Sequence, residues 1–498
     1  MIYERDNAPW SAVINHRLVS RNLFRGSLLD GMNSVIKGGN ELPHSICEFR
    51  NSQKMKPEKC VSFLLIIFHA FIFNAFTAAA AEKAPAVVVE THKTYYVSES
   101  GHDANSGRSQ EKPFRSIQRA ADITKPGDIV YIMNGVYTKD EPSSNILTVT
   151  RSGRDDAYIT YQALPGHTPK LKSKNWNAIK VEGASYIVID GLELEGNADN
   201  IKLEYALAQK GNRNNPATSG NGVSICEKAE QKPHHIVVSN CRIYKFCGGG
   251  ITSRHADYLT FEGNTIYENT FYSPYANSGI STYQDWNSDG NPGCKMIIRR
   301  NIIRHNQNRV PSFAAGGITD GNGIAIEDLR NTQNNSRLGA YKGRTLIENN
   351  VVYCNGGRGI HVFHSDGVDI VNNTLYRNSQ DPRIPEGEIS LMWGNDARVL
   401  NNIVYASNEK PANTVHESKW TVFDYNLSFN GNFSGAGEHN MIDKNPLFTD
   451  EAKFDFTLQK KSPAINAGTS ELRITKDILN MPRPQGRAVD IGAYERKN

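Results

Sequence analysis

Apolar and polar positions along this chain recur as short β-type runs that each end in asparagine. The segments read YLTFEGNTIYEN (258–269), MIIRRNIIRHN (296–306), TLIENNVVYCN (345–355), DIVNNTLYRN (369–378) and RVLNNIVYASN (398–408). In four of them Asn264, Asn301, Asn350 and Asn373 are followed five residues later by Asn269, Asn306, Asn355 and Asn378. The fifth keeps Asn402 but slips to Ser407-Asn408. A Gly-Val or Gly-Ile then opens another short strand: GVSICEK, GITSRHA, GISTYQD, GIAIEDL, GIHVFHS. Look-alike units at irregular spacings of 23 to 49 residues are the mark of a solenoid. The turns carry Asn and Gly, which tolerate left-handed backbone. The predicted fold is all-β: a right-handed parallel β-helix over about 140–410. The five anchor asparagines are expected to point inward and bond coil to coil.

Upstream, TYYVSES predicts a strand and RSIQRAADI a short amphipathic helix within 114–124 that caps the first coil. The polar excursions 197–220, 307–322 and 331–343 are expected as long loops between coils that wall a cleft. After residue 409 the repeat fades, and 410–498 reads as a C-terminal cap. Residues 94–498 are thus expected to form a single domain.

The N-terminal segment differs. Residues 1–54 show no repeat and are not expected in the mature protein, Met55 being the expected true start. Residues 55–81 combine Lys56 and Lys59, the apolar run VSFLLIIFHAFIFNAF and an Ala79-x-Ala81 site, the layout of a cleaved signal peptide. The expected location is secreted or periplasmic. The whole chain has 56 Lys+Arg and 52 Asp+Glu. Residues 1–81 hold 9 and 6 of these, leaving 47 against 46. The near-neutral part after residue 81 gives nothing that argues for nucleic acid or an anionic membrane surface; no nucleic-acid partner and no stable membrane insertion are expected. A monomer is expected. Five cysteines follow residue 81, without a CxxC pair or disulfide framework; free cysteines buried in the coil stack are expected, with a Cys241–Cys247 bridge as the alternative.

YYVSESGHDANSG…PFRSIQRAADITKPGDIVYIMNGVY resembles the N-terminal coil of secreted bacterial right-handed β-helix proteins, including the family 9 polysaccharide lyases. SPAINAG…DIGAYE resembles the C-terminal end of that group. The resemblance implies pectate- or rhamnogalacturonan-lyase-like chemistry, with a lysine base and aspartates holding calcium. That aspartate cluster with its downstream lysine is not laid out cleanly in this sequence.

The strand alternation itself nominates a site. In each Gly-Ile strand the Ile points inward and its successor outward. Arg254, Tyr283, Glu327 and Phe363 then share one outward column, beside a second that ends in His361. Arg254, Tyr283, Glu327 and His361 are the candidate catalytic groups. His255, Arg330, His364 and Trp393 are candidate substrate contacts. Asp285, Glu327 and Asp328 are candidate calcium ligands. The substrate expected is a polysaccharide. Three chemistries compete. β-Elimination on a uronate needs a base and a cation at the carboxylate. Glycoside hydrolysis would pair Glu327 with Asp285. A non-catalytic glycan binder would only grip. Outward residues are expected to be solvated and to contribute little to stability.

Overall fold

A computed structural model of the protein describes residues 92–497 apart from 142–143, 175 and 408. The expected 1–54 and 55–81 segments lie outside the described residues. The described chain winds through three parallel sheets of eleven, nine and ten strands. Each coil gives one strand to each sheet. Asp257–Glu262, Thr265–Tyr267 and Ile280–Tyr283 make one coil; Cys294–Arg299, Ile302–Arg304 and Ile324–Glu327 make the next. Their apolar positions are in register: Leu259 on Met296, Ile266 on Ile303, Ile280 on Ile324. Such columns of Ile, Val, Leu and Phe fill the interior.

The stack is longer than the 140–410 expected. Thr94–Val97 already pairs in parallel with Ile129–Ile132. Val422–Asp424 and Leu427–Phe429 add a last coil within the region read as a cap. An antiparallel hairpin, Phe448–Asp450 with Asp455–Leu458, follows. Its Phe448, Phe456 and Leu458 bury against Tyr353, Tyr376 and Tyr405 on the outside of the ten-stranded sheet.

The N-terminal helix is Ile117–Ala121, with Ser116 as its N-cap and Ile117, Ala120 and Ala121 buried. It also closes an edge. Gln118 accepts from the Thr148 N–H (2.8 Å) and donates to the Thr148 carbonyl (3.0 Å). Its amide thus stands in for the missing neighbour of the terminal strand Leu147–Val149.

The asparagines form two internal ladders. Asn301 Oδ1 accepts from both the N–H (2.9 Å) and Nδ2 (3.0 Å) of Asn264. The pattern repeats through Asn350, Asn373, Asn402, Asn426 and Asn440. A second ladder runs Asn269, Asn306, Asn355, Asn378. Where the repeat slips at Ser407, Glu388 takes the vacant rung and accepts from the Asn378 N–H (2.7 Å) and Nδ2. The left-handed residues are not the ladder asparagines themselves. They stand one place earlier, at Gly263, Arg300, Asn349, Asn372 and Asn401. That corner turns the strand and aims the next amide inward. Cys241 and Cys247 are both buried free thiols, so the spacing for a bridge is not used.

Candidate active site

The nine-stranded sheet carries the candidate residues. Its register joins Arg254, Tyr283, Glu327, Phe363, Met392 and His416 in one outward column. Thr252, Ser281, Ala325, His361 and Ser390 form the second. The corner after these strands holds His255, Gln284, Asp328, His364, Trp393 and Glu417, all left-handed. This geometry follows from the period-two alternation.

Exposure does not follow it. Tyr283, Glu327 and His361 are 0, 2 and 4 % exposed, and Asp285 and Asp328 are fully buried. The expectation of a solvated outward face is corrected. The polar excursions fold over the sheet instead of standing beside it. Ser278 N–H donates to Ser281 Oγ (3.0 Å), and Asn322 Nδ2 reaches Ser278 Oγ (3.0 Å). Gln284 donates to the Gln333 carbonyl (2.7 Å), and Asn334 donates to the Tyr283 hydroxyl.

Under this cover lies a compact polar group. Burial pushes the Glu327 carboxyl well above its ordinary range, and a hydrogen bond with the facing Asp320 carboxyl adds to the effect. The Arg358 charge acts in the opposite sense. Arg358 Nη2 donates to Glu386 (2.6 Å) and Nη1 to the Thr319 carbonyl (2.5 Å), while its Nε is buried and unpartnered. Burial, then the Arg358 charge, holds His361 well below the usual imidazole range, so its ring is neutral. His361 Nδ1 is a buried polar atom with no hydrogen-bond partner. One coil and two residues along the strand separate the two side chains, about 8 Å between their Cβ atoms.

Asp320, Arg358 and Glu386 were not nominated by the sequence. They precede the Gly-Ile strands in glycine-rich lead-ins, DGNG, GGRG and EGE. Adjacent lead-ins pack closely there: a Cβ on Gly357 would meet Asn322 Oδ1 at 2.4 Å. A charged residue inside such a glycine run was the available signal.

The other nominated residues disperse. Arg254 and His255 both engage Glu227, His255 at 3.2 Å. Burial would raise the Glu227 carboxyl, but these partners hold it down at about 2. Burial and then the Asp328 and Glu327 charges raise the Tyr283 phenol, which makes it a poor base. Arg330 forks onto Asp366 (2.8 and 2.6 Å). His364 stacks on Trp393, ring centres 5.0 Å apart.

Calcium wants six to eight oxygens. Asp328 already accepts from Thr332 N–H, Thr332 Oγ1, Gln284 Nε2 and Gln333 N–H. Asp285 accepts from the Ala256 N–H (3.0 Å), beside Asp257 and not Glu327. Among the described residues no group of three His, Cys, Asp or Glu side chains could hold a metal ion. Asp285, Glu327 and Asp328 therefore do not fit a shared calcium, nor do Glu327 and Asp285 pair for hydrolysis.

Three long parallel sheets wound into a right-handed helix are the architecture of the Pel9A-like β-helix proteins. The chain matches the family model described as "Pel9A-like, right handed beta helix region" over residues 95–383, and it belongs to that family. It is 24% identical to protein YwoF of Bacillus subtilis (strain 168) over 437 residues, 74% of this chain and 91% of that one. Among solved structures it is similar to pectate lyase Pel9A, with TM-score 0.50, 18% identity, and coverage of 82% of this chain and 98% of that one. A structure titled "Glycoside hydrolase" aligns at TM-score 0.45 and 9% identity, covering 70% and 96% of the two chains.

Proposed function

We propose that this protein is an exported enzyme that cleaves an acidic, uronate-containing polysaccharide by β-elimination. The observation that carries this reading is the burial together, around the Arg358 cation, of the Glu327 carboxyl, held above its ordinary range, and the His361 imidazole, held below its own. Family membership supports a carbohydrate-active fold. In this reading His361 Nδ1 takes the proton from the carbon next to the uronate carboxylate. Arg358 stabilises the negative charge that grows on that carboxylate. The C–O bond at the neighbouring carbon breaks, a carbon–carbon double bond forms, and Glu327 delivers a proton to the leaving oxygen. Arg254 is held by Glu227 and the Tyr283 phenol is raised, so neither is assigned as base. No step is routed through calcium.

Hydrolysis is the second reading, because Asp320 and Glu327 are two carboxyls at one site. They are hydrogen-bonded to each other, however, and hydrolytic pairs stand about 5 Å or more apart. Hydrogen-bonded carboxyls resemble a shared-proton dyad instead. Export rests on the apolar run within 55–81; among the described residues no helix is long and apolar enough to cross a membrane.

The test is a screen on pectin, rhamnogalacturonan, alginate and glycosaminoglycans. Ultraviolet-absorbing unsaturated ends are expected. Reducing ends without that absorbance would assign hydrolysis, and neither product would leave a glycan binder.

A further inference from the structure

The column that holds Glu327 continues through Phe363 and Met392 to His416, three coils or roughly 14 Å further on. At that end the face changes from sealed to open. Trp393 is packed by Phe363 at 5.5 Å, His364 at 5.0 Å and His416 at 4.8 Å between ring centres. Its Nε1 donates to Glu417 (2.7 Å). The segment after Glu417 is tied down as well. Gly394 N–H donates to Ser418 Oγ (3.0 Å), and Lys419 N–H donates to Asn395 Oδ1 (2.9 Å).

These contacts frame a cleft of about 640 Å³ that Arg330, Asn395, Lys419 and Trp420 help to line. Trp420 is 77% exposed, the most exposed large hydrophobic side chain among the described residues, and its φ is +54°. Left-handed backbone is routine at the corners of this helix, so it is the exposure that marks Trp420. An exposed indole gains nothing from the core, and packing does not account for this residue.

We propose that this cleft is a remote sugar-binding subsite, with the Trp420 indole as a platform for one pyranose ring of the polymer. The apolar face of the ring lies on the indole, while Asn395, Lys419 and the Arg330–Asp366 pair meet its polar edge. The inference rests on the reading that the substrate is a polysaccharide. A short oligosaccharide held at Glu327 misses the subsite, and a longer chain reaches it.

Affinity electrophoresis tests this with gels containing polygalacturonate, alginate, rhamnogalacturonan or xylan. The full protein carries Glu327→Gln, so that binding is read without turnover. Retardation by at least one of the four polymers is expected. Trp420→Ala in that background should weaken it about tenfold, a loss of roughly 1.4 kcal/mol. Lys419→Ala should weaken it less, and the exposed Leu479→Ala should leave it unchanged. On the active enzyme Trp420→Ala should raise KM for polymer more than for short oligosaccharides. A retarded protein whose Trp420→Ala variant is retarded equally overturns the subsite while leaving the proposed reaction standing. Retardation by none of the four overturns the subsite. Strong Trp420-dependent retardation with no unsaturated product from any polymer keeps the subsite and overturns the elimination reading.

Discussion

Two buried polar regions of this molecule obey opposite rules. The asparagine ladders lie inside the coil stack, and each internal rung is closed. Asn301, for instance, accepts from the Asn264 amides and donates to Asn350 Oδ1 (3.0 Å) and the Phe261 carbonyl (2.9 Å). The group under the loops of the nine-stranded sheet is as deeply buried, yet His361 Nδ1 and Arg358 Nε have no partner. A satisfied buried network stabilises and fixes register. An unsatisfied one is costly to fold. Between these two regions the difference lies in satisfaction and not in burial.

The strongest way to break the comparison is Glu327→Gln. Glutamine keeps the shape and the neutral state but cannot deliver a proton. Turnover is expected to fall about 10²–10⁴-fold, in the range of lost general acid catalysis. Thermal stability should hold within about 1 kcal/mol, because the amide matches the carboxyl in size and burial already disfavours the charged form. Glu327→Ala is expected to differ. Its site is buried, so truncation leaves a cavity as well as an inactive enzyme. Full activity in Glu327→Gln on the true substrate would remove the assignment.

The ladder predicts the reverse. Asn350→Ala leaves the Asn301 amides without their acceptor and removes donors to the Ile298 carbonyl (2.8 Å) and Asn373 Oδ1 (2.9 Å). Each orphaned buried group costs about 1–3 kcal/mol, so a loss of roughly 3 kcal/mol or more is expected in chemical denaturation. kcat of the folded fraction should change little. Equal effects on stability from Asn350→Ala and Glu327→Gln would erase the distinction between the two regions.

Much of this was legible in the sequence, and the reason is periodicity. Asn264, Asn301, Asn350, Asn373 and Asn402 repeat because each coil needs the same inward amide, and the strand alternation put Arg254, Tyr283 and Glu327 in one column. What did not repeat could not be read. The excursions carry no period, so their fold over Tyr283 and Glu327 was invisible. Asp320 reaches Glu327 through that fold, and Asp328 is occupied by Thr332 and Gln333 from it. The end of the second ladder was hidden for the same reason: Glu388 arrives from a loop and replaces an asparagine.

That replacement gives a subtler contrast within the ladders. Burial raises the Glu388 carboxyl from 4.5 to about 8, although Asn378 donates to it. The folded state thus binds a proton that the unfolded state has released between these values. The stability contributed by this group is full below about pH 4.5 and is lost as pH rises towards 8. Glu388→Gln should flatten the wild-type decline over that window in a series of denaturation curves. It should also lower stability by about 1–3 kcal/mol throughout, since its NH₂ faces an Asn378 donor. An unchanged slope would show that the Glu388 carboxyl does not titrate there.

The smallest expected effect lies at the other end of the catalytic column. Arg254 sits one coil before Tyr283, half-buried, with its guanidinium on Glu227. It is not a base in this geometry, because its guanidinium is occupied by Glu227, which its partners hold down at about 2. It remains a cation on the face along which a uronate chain would run. Arg254→Gln removes that charge and leaves Glu227 with His255 alone. Stability should fall by about 1 kcal/mol at most, as for other partly solvated ion pairs. kcat should stay within about threefold, and KM for an acidic polymer should rise by up to about tenfold, a share of binding worth roughly 1.4 kcal/mol. Steady-state kinetics on the polymer found in the screen makes the measurement. A kcat loss as deep as that of Glu327→Gln would move the chemistry to Arg254 and overturn the division of the face into a reacting centre under the loops and a binding surface beside it.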